Sequence, residues 1–154
     1  TNIIFEARYS DSANQSKDEM ITEHLGKILQ VLQNLPMTFS GTLDWLIRQS
    51  GMTAEALSEA ADIDKKTIYR LRTEESEDIK IETVVQLCIG MKLEPILSDS
   101  LLKAAGKSFM LTDQHTMYYF LLHIYYTHSI HECNELLATQ NLKLLGRKNR
   151  RIRK

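Results

Sequence analysis

The sequence has few of the features that mark secreted, disulfide-bonded or membrane-spanning proteins. Only two cysteines, Cys88 and Cys133, occur in 154 residues, and both lie in apolar helical patterns. This usage favours free, buried thiols in a reducing cytoplasm over a disulfide framework. No apolar run approaches the length of a bilayer-spanning helix, and no signal peptide is visible. We therefore expect a cytoplasmic protein that has no membrane partner.

Signals for catalysis and metal binding are also missing. The sequence contains no HExxH, P-loop or GxSxG motif. One cluster has ligand-type side chains, namely His123, His128, His131 and Cys133. Its spacing is neither HxxxH nor CxxC, which disfavours a zinc site. We expect no enzyme activity, no metal and no cofactor.

Charge is distributed unevenly along the chain, although the net value is only −1. The segment 146–154 carries six basic residues and no acid, which leaves −7 on the remainder. Part of this negative charge forms one run, Glu74, Glu75, Glu77 and Asp78. The remainder of the chain is therefore not broadly basic, and any affinity for a polyanion would be strongly salt-dependent. The tail has two further interpretations: a solvating terminus, or a nonspecific nucleic-acid anchor.

The most informative stretch, 53–71, is typical of two short helices joined by a sharp turn. Its small and apolar residues follow helical spacing and predict one buried face on each helix: Ala54, Leu57, Ala60, Ala61, Ile63, Ile68 and Leu71. Thr53 and Asp64 are the predicted N-caps, because each side-chain oxygen can accept an orphan backbone N–H. The outer face of the second helix then carries Lys65, Lys66, Thr67, Tyr69, Arg70 and Arg72. A capped helix with a cationic outer face is what major-groove reading requires.

These two helices resemble the helix-turn-helix of the lambda-repressor-like (Xre-type) DNA-binding family. The matching positions are Leu57, Ser58, Ala61, Ile63, Ile68 and Leu71, with Ser58 where the family usually has Ala. Asp62 replaces the usual Gly of the turn; Asp tolerates the left-handed conformation, so we expect the turn to be retained. The match extends to predicted helices at Leu43–Gln49, Ile81–Met91 and Pro95–Ala105. A looser resemblance points to regulators carried on mobile elements of Gram-positive bacteria, where such a domain can end a longer polypeptide. Since this chain begins with Thr1, we expect it to be such a C-terminal portion.

The resemblance and the helical spacing together predict an all-α protein with a lambda-repressor-like five-helix core. We expect four regions: an arm and helix at 1–38, the helix-turn-helix domain at 39–106, a helical hairpin at 107–145 and a basic tail at 146–154. The N-terminal helix, from Lys17 to Leu35, has an apolar face formed by Met20, Ile21, Leu25, Ile28, Leu29 and Leu32. This face can pack on the core or form a dimer seam.

End signals place several of these helices. Thr42 is predicted to cap the first core helix, and Gly51 to end it. Pro95 suits a first helical position. Thr112 is predicted to begin the hairpin, and Ser129 and Glu132 have the spacing of a capping box before its second helix.

The leading functional hypothesis is sequence-specific binding of double-stranded DNA by a homodimer. Lys65, Lys66, Thr67, Tyr69 and Arg70 would face base edges, while Arg48, Thr53 and Arg72 would hold phosphates. The alternative is a repressor-fold module that docks proteins and has no DNA-binding activity. The acidic balance outside the tail favours that alternative.

Overall fold

The computed structural model describes residues 17–75 and 78–146, and all regular structure within these ranges is helical. The eight helices are α1 Lys17–Asn34, α2 Phe39–Ser50, α3 Ala54–Ala61, α4 Lys65–Thr73, α5 Ile81–Met91, α6 Pro95–Ala104, α7 Asp113–His123 and α8 Ile130–Thr139. The predicted all-α class is confirmed. The predicted N-terminal arm, most of the basic tail and part of the acidic run (residues 76–77) lie outside the described residues.

Helix α5 is the centre of the packing. Its residues from Val84 to Met91 are all buried, and it contacts α3, α6, α7 and α8. Gly90 allows the close approach of α3, because a Cβ at this position would lie 2.8 Å from the Cβ of Ala61. Small residues at such crossings let two helix backbones come closer than larger side chains would allow. The position of α3, and of the turn that follows it, therefore depends on α5.

The C-terminal helices α7 and α8 add to the same core. Tyr118, Leu121 and Leu122 of α7 and Cys133 and Leu137 of α8 are buried in one cluster with the α2–α6 side chains. The predicted caps are present: Thr112 Oγ1 accepts a hydrogen bond from His115 N, and Ser129 and Glu132 form a complete capping box. These two helices thus pack on the helix-turn-helix core.

One predicted cap was wrong, and a second was right only in its position. Helix α2 begins at Phe39, and its N-cap is Thr38, whose hydroxyl accepts a hydrogen bond from Gly41 N at 3.1 Å. Thr42 lies inside the helix and donates instead to Pro36 O at 2.9 Å. Asp64 occupies the N-cap position of α4, but its side chain makes no capping hydrogen bond. A threonine can cap a helix or bond to a neighbouring carbonyl, and the backbone geometry decides which.

The predicted apolar face of α1 is only partly buried. Ile28 and Val31 lie in the core, whereas Ile21, Leu25 and Leu29 are at least half exposed. These three residues follow an i, i+4 spacing and therefore form a single stripe along the helix. We call them the α1 stripe. Of the two alternatives for the predicted face, packing on the core holds for Ile28 but not for the α1 stripe.

Within the described ranges, no helix combines the length and the apolar character that crossing a bilayer would require.

Candidate nucleic-acid interface

The turn between α3 and α4 is held by hydrogen bonds from both of its sides. Asp62 has the predicted left-handed conformation, with φ 53° and ψ 48°. Ile63 N donates to Ser58 O at 3.1 Å, and the Ser58 hydroxyl donates to Ile63 O. From α5, the buried side chain of Gln86 donates to Ala61 O at 2.9 Å and to Asp62 O at 3.3 Å. The direction in which α4 leaves the turn is therefore fixed.

Gln86 fixes the position of the turn, and this role was not predicted from the sequence. It is a buried polar side chain in an otherwise apolar helix face. Buried amides are retained where they satisfy backbone groups, and here the satisfied groups are the carbonyls at the end of α3. A single glutamine within the run VVQLCIG was the available signal.

Helix α3 begins with the predicted Thr53 cap. Its hydroxyl accepts a hydrogen bond from Ala56 N at 3.0 Å. Leu57 and Ala61 of the same helix are fully buried. The helix therefore packs between the core and α4, and Thr53 is exposed at its start.

Helix α4 has one buried and one exposed side. Ile68 and Leu71 are buried, as predicted, with exposures of 0% and 3%. The opposite side exposes Lys65, Lys66, Tyr69 and Arg70, and the ring of Tyr69 is 67% exposed. Thr67 is half-buried beside them. The five residues predicted to face bases thus lie on one short helix, four of them on its open surface.

The cations of α4 differ in their partners. Lys65 Nζ lies 3.1 Å from Glu55 Oε1 of α3. Arg72 binds Asp44 of α2 through Nε at 2.8 Å and Nη2 at 2.7 Å, and its side chain is only 19% exposed. In the part of the chain that the structure describes, no carboxylate lies within ion-pair distance of Lys66 or Arg70. These two side chains carry the available positive charge of the helix.

Asp44 joins the two arginines that were predicted to hold phosphates. Its second oxygen accepts a hydrogen bond from Arg48 Nε at 2.8 Å, one turn along α2. Partial burial raises the pKa of the Asp44 carboxyl, but hydrogen bonds from Arg48 and Arg72 outweigh this effect and hold it below its usual value of 3.8. Asp44 is therefore ionised at neutral pH and ties α2 to α4.

The acidic run begins at the C-cap of α4, at the opposite end of the helix from Lys65 and Lys66. Glu74 N donates to Arg70 O and ends the helix, and Glu75 accepts a hydrogen bond from the Ser40 hydroxyl at 3.1 Å. Asp78 lies 3.6 Å from Lys107 Nζ. The carboxylates of Glu75 and Asp78 thus have local partners on α2 and after α6.

Within the described ranges, no group of three or more His, Cys, Asp and Glu side chains comes together in a way that could hold a metal ion. Cys88 and Cys133 are buried free thiols, and burial raises the pKa of each to about 12. Neither thiol has the low pKa of a reactive cysteine.

One part of the chain is similar to a known protein family. Residues 42–95 match the family model of the Cro/C1-type HTH DNA-binding domain. This range contains α3, the turn and α4, together with most of α2 and all of α5, and it supports the predicted lambda-repressor-like resemblance and DNA binding. No curated protein and no solved structure matches the chain.

Proposed function

We propose that this protein binds double-stranded DNA sequence-specifically as a transcriptional regulator, with α4 in the major groove. One observation carries the proposal. The outer side of α4 exposes Lys66 and Arg70, which have no described acidic partner, on a helix whose direction is fixed by Gln86 and the Asp62 turn. A rigid helix with free donors is the device that reads base edges in this groove.

The exposed side chains suggest a division of roles. We assign Lys66 and Arg70 to guanine acceptors, which both residue types recognise through O6 and N7. Tyr69 and Thr67 can supply hydroxyl contacts or an apolar contact to a thymine methyl group. Lys65 reaches the same surface once it exchanges its exposed pair with Glu55 for a DNA acceptor.

Phosphate contacts would then fix the position of α4 on the duplex. Arg48 is 71% exposed and can turn from Asp44 to a phosphate at little cost. Thr53 lies at the start of α3, where helix N-termini favour anions. Arg72 uses only two of its guanidinium nitrogens for Asp44, so donors remain for a phosphate. These residues would set the register and carry no sequence information themselves.

The decisive experiment is a titration of the protein with a random-site duplex pool, followed by sequencing of the bound fraction. We expect one enriched motif. Lys66→Ala with Arg70→Ala should abolish the enrichment and weaken binding to the motif by about 1–3 kcal/mol for each lost base contact. Lys103→Ala with Lys143→Ala, which removes the same charge from exposed sites on α6 and after α8, is the matched control and should retain the motif.

Other outcomes would change the conclusion. The same enrichment in the Lys66/Arg70 variant would place base reading on another surface. A complete lack of binding by the parent chain would favour the alternative function, a protein-docking module with a repressor fold. The charge of −7 outside the tail is the observation that supports this alternative.

We also propose that the chain acts as a homodimer, because two such domains commonly bind two half-sites about one DNA turn apart. The α1 stripe, with exposures of 50–56%, supports this proposal. Leu25→Glu with Leu29→Glu should convert a dimer to a monomer in light-scattering measurements. Met110→Glu with Leu111→Glu changes two residues that are also exposed but lie outside the stripe, and it should leave the dimer intact.

Two further predictions stay predictions. The buried free thiols support a cytoplasmic location. An origin on a mobile element of a Gram-positive bacterium rests only on the looser resemblance.

A further inference from the structure

A groove between α3 and α8 has the opposite charge to the C-terminal tail. Its volume is about 350 Å³, and it has three acidic lining residues, Glu59, Asp62 and Glu135. Apolar side chains also line it, among them Ile130, Ala138 and Leu144. In the described ranges no cationic side chain pairs with Glu59, and the ion-pair contact of Glu135 is His131, 3.5 Å away. The groove between α3 and α8 thus offers both acidic and apolar contacts.

The chain reaches this groove at a fixed point. Asn134 of α8 holds Leu145 through two hydrogen bonds, from Leu145 N to Oδ1 at 2.8 Å and from Nδ2 to Leu145 O at 2.9 Å. Leu145 is buried. Gly146 follows with φ +102°, and a Cβ added there would overlap the Asp62 carboxylate. The last described residue therefore lies directly against one of the groove acids.

The next eight residues, 147–154, carry six basic side chains, one isoleucine and no acid. An extended segment of this length spans up to about 26 Å, which is enough to reach each groove acid from Gly146. Exposed ion pairs are weak individually. A short tether, however, gives the tail an effective concentration in the millimolar range, so several weak contacts suffice.

We propose that residues 147–154 are the occupant of this groove and bind it through Glu59, Asp62 and Glu135. The basic side chains of the tail then neutralise the groove acids. While they are bound there, they are not available to other anions. DNA phosphates would compete with the groove for the same arginines and lysines. The proposal concerns the free protein and does not depend on the proposed DNA binding, so the two can fail separately.

The test uses the full chain with Lys154→Cys and a nitroxide attached to the new thiol. Because Cys88 and Cys133 are buried and have pKa values of about 12, the label should react selectively with the introduced cysteine. We expect paramagnetic broadening of backbone amides around the groove, for example at Ala138 and Leu144. The broadening should decrease as salt is raised, because the contacts are charged.

Two charge-matched variants decide the result. Glu59→Gln with Glu135→Gln should abolish most of the broadening at the groove, whereas Glu74→Gln with Glu82→Gln removes the same charge elsewhere and should leave it unchanged. Equal broadening in both variants, broadening at another surface, or none in the parent would each overturn the proposal. Amide shifts away from the groove, unchanged in each variant, would show that the fold is retained.

Discussion

The two sides of α4 have opposite surroundings. The inner side presents Ile68 and Leu71 to the core, and the outer side exposes Lys66, Tyr69 and Arg70. Arg72 lies between them and binds Asp44 of α2. The comparison teaches that neighbouring cations in one short helix have different surroundings. Asp44 binds the largely buried Arg72, whereas no described acid pairs with Lys66 or Arg70.

The largest effect should come from the inner side. Ile68→Ala removes a side chain with no solvent exposure and leaves a cavity, which should lower the free energy of unfolding by about 2–5 kcal/mol. Urea unfolding followed by circular dichroism measures this change. Ile96→Ala, at a 40% exposed position on α6, is the control and should cost far less. A small effect at Ile68 would mean that α4 does not need the core to hold its position.

A smaller effect, of a different kind, should come from the outer side. Tyr69→Ala should weaken binding to the selected DNA motif by about 1–3 kcal/mol and should relax the preference at one base pair. Stability should change by less than about 0.5 kcal/mol, because the ring is exposed. Anisotropy titrations and urea unfolding of the same preparation separate the two quantities. Loss of stability without loss of affinity would reverse the assignment of the two sides.

The smallest effect should come from the contact between Asp44 and Arg72, which lies between the two sides of α4. Asp44→Asn weakens the contacts with Arg48 and Arg72, so the free energy of unfolding should fall by about 1 kcal/mol at neutral pH. A double-mutant cycle with Arg72→Met should give the larger coupling, and one with Arg48→Met the smaller, since Arg48 is far more exposed. Equal couplings would show that Arg72 has no special role in orienting α4.

The pH dependence of this effect follows from the pKa of Asp44. The folded-state pKa is lowered from 3.8, so the carboxylate stabilises the fold above that value. The stabilisation should disappear as pH falls below 3.8 through the folded-state pKa. The difference in unfolding free energy between the parent and Asp44→Asn should therefore shrink in acid. A constant difference across this range would contradict the ion-pair explanation.

Local signals predicted some elements well. The bounds of α5, Ile81–Met91, agree with the prediction, because an apolar helical pattern runs between polar flanks. The Thr53 cap, the left-handed Asp62 and the capping box before α8 were also predicted correctly. Each of these depends on residues within four positions of each other. The predicted cap at Thr42 failed because Thr38 offers the same chemistry one turn earlier.

The interface could be predicted only in part. Helical spacing was enough to separate Ile68 and Leu71 from the exposed residues of α4. Asp44, however, lies 28 positions before Arg72, and Gln86 lies 24 positions after Asp62. No local pattern links such residues. Their contacts appear only when α2, α4 and α5 pack together.

The sequence by itself determined the helices, the sharp turn and the cationic character of α4, since propensity, capping and periodicity act over a few residues. Only the tertiary structure decided which cations have partners and which apolar residues remain exposed. The α1 stripe has the same composition and spacing as a core face, but no element of the described chain covers it. Burial is a property of what packs against a surface, and the surface residues alone do not specify it.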